Sequence, residues 1–406
     1  MIYDIIIIGG GIAGLYMAYK LKIRDPNVKL LILEKSKLGG RAGTYSFQGV
    51  DVVTGAGIGR RAKDHLLRKL LKDLNIPSHE FSTNTYYSPT IPNGPCNIKA
   101  TIAELHGHYK KNIAKHKGKT FREFAKPILG NIGYQHFTTC AGFTDYENAD
   151  VRDVLYDYGF EDNYLSWKGF SVPWADLVQE LCKRIGMKHI HTNTEVQKIQ
   201  HQPNENFIII TKSGTNYLST KVVIATTIDS VLHLVPEKCR NLYKQIKGQS
   251  FLRMYGRFSK ASIPIIENFV PVQTIVPGPI HKIIPMQPEK GIYMIVYSDN
   301  EGAKYLQQYG ENTPENRDAM CRILETSLGI KEDTLKLLAI KSFFWPIGTH
   351  YYMPLDQQFK TRQSYIDAAQ NPMKDMFVVG EMISIDQGWT QGALDSVEKV
   401  LPMIIK

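Results

Sequence analysis

Cysteine is scarce in this sequence: five residues in 406, Cys96, Cys140, Cys182, Cys239 and Cys321. They are odd in number and form no C-x-x-C pair, which argues against a zinc site and for reduced thiols in a cytosol-like compartment. Long apolar runs are missing as well. None approaches the roughly 18 residues that would suggest a membrane span. Met1-Ile2-Tyr3-Asp4 passes straight into a strand-like run, so no signal or transit peptide is expected and the expected location is cytoplasmic. There is no internal repeat and no low-complexity linker. Acidic residues are fewer than basic ones, 39 against 49, for a net charge of +10. Much of the excess lies in residues 60–72 and 99–126. A solvated helix face is the favoured reading of these stretches. An acidic partner, nucleic acid included, is the lesser one, because no interleaved aromatics or nucleic-acid motif accompany the lysines.

What is present is a strand, a glycine turn and a helix at the very start. Asp4-Ile5-Ile6-Ile7-Ile8 is apolar and β-branched, and Gly9-Gly10-Gly11-Ile12-Ala13-Gly14 follows it. Gly9, Gly11 and Gly14 fit G-x-G-x-x-G. The first allows a tight turn, the second lets a pyrophosphate approach the backbone, and the third lets the helix lie close on the sheet. The helix N-terminus then offers N–H groups and a positive dipole end to phosphate. A second strand, residues 29–33, ends in Glu34, placed to accept hydrogen bonds from a ribose diol. Spacing and context together indicate dinucleotide binding.

At 406 residues, two domains are expected. Gly39-Gly40-Arg41 suggests backbone contact to a second phosphate with fixed charge beside it. Residues 49–53 alternate like a strand, and Gly55-Ala56-Gly57-Ile58 is small enough for close approach to something flat. Leu66, Leu67, Leu70, Leu71 and Leu74 recur at helical spacing. Residues 80 to about 165 read as helices and loops rich in Tyr, Lys and His, broken by Pro89, Pro92, Pro95 and Pro127. Asp145-Tyr146-Glu147-Asn148 reads as a helix cap in preference to a recognition loop. Strands are expected at 189–192, 195–199, 207–211, 221–227, 335–344 and 376–381. Helices are expected at 174–185 and around 317–328, with a last one opening near residue 390.

In order along the chain, these features resemble the flavin-dependent amine oxidase superfamily, which includes monoamine, polyamine and L-amino-acid oxidases and protoporphyrinogen oxidase. Gly9, Gly11, Ile12, Ala13, Gly14, Glu34 and Lys35 look like its ADP-binding part. Gly40-Arg41 is similar to its G-G-R, and Gly55, Ala56, Gly57 and Ile58 to the loop beside the flavin ring. Val196 and Thr226 resemble the second pass, at the adenine. Gly380-Glu381 with Gly388, Trp389, Thr390 and Ala393 resembles the C-terminal flavin motif. There Glu381 would hold ribityl hydroxyls, and the helix from Thr390 would face the flavin N1–O2 edge. The resemblance implies an α/β fold, with a Rossmann-like FAD-binding domain (1–79, 166–230 and 345–406) interleaved with an α+β substrate-binding domain (80–165 and 231–344). The compact length, with abundant Ile, Lys, Asn and Tyr, is also reminiscent of amine-oxidase-like proteins of large DNA viruses.

The resemblance further implies a substrate held against the flavin between two aromatic rings. Trp389 falls on one ring position and Tyr351 or Tyr352 on the other, while Trp345 reads better as core. Arg253 falls where the family carries a lysine that holds water near flavin N5. Arginine is a forked donor that keeps its proton, so the exchange bears on oxygen reactivity, or clamps a substrate carboxylate. Lys260, past the strand, is a weaker stand-in. No cysteine follows Cys321, so FAD is expected to be non-covalent; His350 lies near the family's attachment position and reads equally as a proton carrier or a surface residue. The implied activity is oxidation of an amine to an imine, with hydride transfer to N5 and reoxidation by oxygen to hydrogen peroxide. Two alternatives stay open: a desaturase or isomerase of the same fold, and a redox-silent FAD-binding interaction protein. No metal is expected.

Overall fold

The computed structural model describes residues 1–160, 166–203 and 205–405. The first apolar run is the strand Ile2–Ile8. Ile5 and Ile7 enter one core while Ile6 and Ile8 enter another, so both faces are covered and the run is continuously apolar. This strand pairs in parallel with Leu30–Leu33 on one side and Asn216–Ile224 on the other. Ile190–His191 extends the seven-stranded sheet at one edge, and the antiparallel strands Phe207–Thr211 and Val196–His201 extend it at the other. The end of Asn216–Ile224 also pairs in parallel with Met376–Val378, setting Val223 opposite Phe377. The parallel strands therefore release Gly9, Glu34, Ala225 and Val379 at one end of the sheet, where a doubly wound fold takes its ligand. Helices Ile12–Arg24, Trp174–Ile185 and Thr390–Ile404 pack on one face, and Ile228–Leu234 and Arg362–Gln370 on the other.

A second, eight-stranded sheet runs Leu337–Tyr352, Ile246–Phe258, Ile292–Asp299, Lys282–Gln287, Gln273–Ile275, Glu80–Tyr87, Ser166–Phe170 and Gly59–Arg60. Helices Ile98–Lys111, Phe121–Ala141 and Val151–Tyr156 build a separate aromatic core beside it. The fold is thus α/β, a Rossmann-like sheet interleaved in sequence with an α+β portion. Leu337–Tyr352 is one strand through residue 345, where a boundary was expected, and residues 161–165, at another expected boundary, lie outside the described residues. No helix among the described residues is long and apolar enough to cross a membrane.

Several expectations are corrected. Cys96 and Cys140 are bonded to each other, their Cα atoms 5.5 Å apart, so the thiols are not all reduced; Cys182, Cys239 and Cys321 are free and buried. The pair is 44 residues apart in sequence, which is why no spacing revealed it. Glu80–Tyr87 is a strand, not helix or loop. Its β-branched and aromatic residues suit a sheet, but Ser82 and Asn84 thin the apolar signal. Pro127 does not end its helix; the break falls at Gly130, with φ +70°. Asp145–Asn148 gives no side-chain N-cap among the described residues, Asp150 capping Val151–Tyr156; but Glu147 O accepts Arg122 N at 2.9 Å in the first turn of Phe121–Ala141, while its carboxylate pairs with Arg122 and accepts the Tyr134 hydroxyl.

Candidate active site

The first glycine turn divides into residues fixed by packing and residues facing space. Gly9 has φ +110°, and a Cβ there would collide with Ala225 O. A Cβ on Gly14 would collide with Gly9 O, so the helix could not lie where it does. A Cβ on Gly11 would meet nothing within 4 Å, and one on Gly40 only Gly11 Cα at 3.7 Å. Gly39 N donates to Gly10 O at 2.9 Å, which holds the two glycine turns side by side. Helix Ile12–Arg24 receives no side-chain cap from Gly11, so its dipole end stays available. Ile12 and Ala13 are buried in its first turn.

Glu34 is 9% exposed and accepts Gly10 N at 2.7 Å and Ser36 N at 2.8 Å, while the following Lys35 is exposed. Thr194 N donates to Glu34 O at 2.8 Å, bringing the start of Val196–His201 alongside. Thr226 packs beside Gly9.

At the other end of the chain, Gly380 has φ +133° and a Cβ there would meet nothing within 4 Å. Glu381, next to it, is the electrostatic centre. It accepts Arg41 Nη1 at 2.7 Å, the Gly388 N–H at 2.9 Å and His350 Nδ1. Burial pushes this carboxyl up, but His350, Arg41 and the Gly388 N–H together pull it down further, to about 2. Arg41 Nη1 also donates to Gly348 O at 2.8 Å. His350 is 2% exposed, and its Nε2 takes the Ile228 N–H at 3.2 Å, so it is no surface residue and both ring nitrogens are engaged.

The loop Gly55–Ile58 is held by three long side chains. Trp345 Nε1 donates to Thr54 O at 2.8 Å, Arg253 Nε to Gly55 O at 2.6 Å, and Trp174 Nε1 to Gly57 O at 2.8 Å. Trp345 therefore braces this loop, where it was expected in a core. Arg253 is 4% exposed, with its guanidinium 4.4 Å from the Tyr297 ring and 5.0 Å from Phe251. Lys260 is exposed.

Trp389 donates its Nε1 proton to Asp64 at 2.8 Å and lies edge-on to Trp174, ring centres 6.2 Å apart. Thr390 and Ala393 are buried in the first turn of the helix that follows. Tyr351 lines two cavities. The larger, about 700 Å³, is bordered also by Arg122, Thr144, Glu147, His281 and Asn300. The smaller, about 50 Å³, is bordered by Asp145, Asp153, Asp157, Tyr158 and Gly388. Tyr352 also borders the smaller cavity, but it is buried with its hydroxyl on Ser384 O at 3.0 Å and its ring against Tyr365. Burial, with Asp299 beside it, pushes the Asp145 carboxyl up to about 7, and Tyr158 donates to it.

The structure thus gathers the glycine turns, Glu34, Arg41, Gly55–Ile58, Gly380, Glu381 and Gly388 at one end of the sheet, and sets Tyr351 on the cavities adjoining it. Asp64, Trp174 and the His350–Glu381 contact were missed, since their partners lie far away in sequence and no local spacing signals them.

A family model described as an NAD(P)-binding Rossmann-like domain matches residues 7–74. No curated protein matches the sequence. Among solved structures, cyclohexylamine oxidase from Brevibacterium oxydans IH-35A is similar over 100% of this chain and 99% of its own, with TM-score 0.76 and 15% identity. Wild-type putrescine oxidase bound to putrescine is similar over the same shares, with TM-score 0.76 and 12% identity. A double mutant of putrescine oxidase redesigned in its cofactor binding gives TM-score 0.75 at 13% identity, again over 100% and 99%.

Proposed function

We propose that this chain, which has the fold of the flavin-dependent amine oxidases, binds FAD without a covalent bond and oxidises a small amine to an imine. The observation that carries the reading is the cradle: Gly11, Gly40 and Gly380 come from three segments, and at each a Cβ would stand in or beside open space. Backbone left bare in this way suits a ligand that must lie against it. The first helix and Gly11 would take the pyrophosphate, Glu34 the ribose, and Val196 and Thr226 the adenine side. Glu381 would hold the ribityl chain, and the helix from Thr390 would face the flavin edge where negative charge collects. FAD, when bound, supplies a hydride acceptor and passes the electrons to oxygen, giving hydrogen peroxide. In this assignment residues 1–79, 166–230 and 345–406 hold the cofactor, and 80–165 and 231–344 the substrate.

The protein's own part is placement and desolvation. Tyr351 would wall the substrate cavity, and Trp389, pinned by Asp64, would take the second ring position, although it borders neither of the two cavities. Asp145, Asp153 and Asp157 line the smaller cavity, where Tyr158, Arg362 and Arg152 respectively engage them. The engagement of both His350 nitrogens supports non-covalent FAD. Arg253 supports a second reading, a slow reaction with oxygen as in a desaturase, an isomerase or a redox-silent flavoprotein. Its guanidinium is committed to Gly55 O and two rings, and unlike lysine it does not give up a proton. The test is the visible spectrum under air, with peroxide assayed, before and after a panel of monoamines, polyamines and amino acids. Bleaching with peroxide release is expected. A yellow protein that no amine bleaches would sink the oxidase reading, and a colourless one that refuses added FAD would sink both.

A further inference from the structure

We propose that Cys96, His136 and Cys140 form a redox-gated site for zinc, closed while the two sulfurs are bonded to each other and open once they are reduced. Their ligand atoms lie within 4.8 Å of one another, the one such group among the described residues. His136 and Cys140 stand one turn apart on the helix Phe121–Ala141, beyond its break at Gly130, so they share a face. Cys96 reaches them from the loop that carries Pro92, Gly94 and Pro95.

The histidine is anchored beside the two sulfurs. Its Nδ1 lies 2.8 Å from Pro92 O, which can only accept, so the proton belongs there. Cys140 Sγ lies beside the ring, 3.5 Å from Nε2 and 3.9 Å from Nδ1, so a turn of the imidazole would bring the Nε2 lone pair onto an ion between them. The approach of Pro95 O to Nε2, at 3.4 Å, is the longer and weaker of the two carbonyl contacts. Two thiolates and an imidazole suit zinc better than hard cations. Cys96 and His136 are only half-buried, which leaves a fourth position open to water.

The chemistry balances. A thiol or phosphine reductant supplies two electrons and two protons, breaking the S–S bond to give two thiols. Zinc then displaces both thiol protons, forming two S–Zn bonds and one N–Zn bond. A peroxide oxidant takes the two electrons back, the S–S bond re-forms and the ion leaves. From Cys140 the chain runs into Thr144 and Asp145, which border the two cavities.

The test does not depend on flavin or substrate. The full chain, reduced with a phosphine and then freed of it, is titrated with Co²⁺ as a spectroscopic probe. Thiolate-to-cobalt charge-transfer absorption that saturates stoichiometrically and is bleached by Zn²⁺ is expected, and the oxidised chain should show none. H136N, which keeps both sulfurs, should weaken cobalt binding by more than about tenfold. The proposal is overturned if the reduced chain takes cobalt no better than a C96S/C140S variant, or if oxidised and reduced chains bind alike.

Discussion

Gly11 and Gly14 stand in one turn but answer to different constraints. The space beside Gly11 is open, while Gly14 has Gly9 O against it. G11A should therefore leave the apoprotein's urea stability within about 0.5 kcal/mol of wild type while FAD retention collapses. G14A should cost about 1–3 kcal/mol before any cofactor is added. Equal loss of stability in the two would contradict the cradle. Glu381 carries a pH signature. Its carboxyl is held at about 2 against 4.5 in an unfolded chain, so its contribution is complete above 4.5 and fades as pH falls toward 2. That contribution is on the order of 3 kcal/mol, and E381Q should flatten the acid limb of stability against pH in that window. Asp145 has the opposite sign. Raised from 3.8 to about 7, it holds its proton more tightly when folded, so stability falls as pH climbs from about 4 through 7. Melting curves at pH 5 and pH 8 should show a smaller drop for D145N than for wild type.

Between elements, the candidate site depends on groups that cap and brace rather than touch a ligand. Helix His65–Asp73 has no side-chain cap of its own, and Gln391 Oε1, from the last helix, accepts Leu66 N at 3.0 Å and Leu67 N at 3.3 Å. Q391A should lower stability by about 1 kcal/mol and speed amide exchange at Leu66 and Leu67; unchanged exchange there would show that the cap is idle. Such a cap was illegible in the sequence because its two halves are more than three hundred residues apart. The same reason hid Asp64 behind Trp389, and a shorter gap of 44 residues was enough to hide Cys96 behind Cys140. Local elements were legible where periodicity was strong, as in Ile2–Ile8 and the helix of Leu67, Leu70 and Leu71. They were not where polar residues diluted a strand, as at Glu80–Tyr87, or where a strand ran on through Trp345-Pro346.

At the scale of the whole molecule, the glycine turns and acidic strand ends of the proposed cradle were legible because each is a short local pattern within a few residues of chain. The cavity walls were not, because Asp145, Gln249 and Tyr351 meet only after the second sheet has formed. The proposed cradle draws Gly11 and Gly40 from the first segment and Gly380 from a segment far downstream, so FAD should couple them. Added at a hundredfold over its dissociation constant, FAD should stabilise the fold by about 2.7 kcal/mol. Calorimetry of the loaded protein should show one transition; two transitions of which only one moved with FAD would show that the halves unfold independently. The placement of Met376–Val378 beside Asn216–Ile224 has one more consequence. The sheet that would grip the dinucleotide is complete only once Met376–Val378, far downstream in sequence, takes its place beside Asn216–Ile224. A chain cut before Met376 should then lose the grip proposed for the dinucleotide, read as failure to retain added FAD on gel filtration.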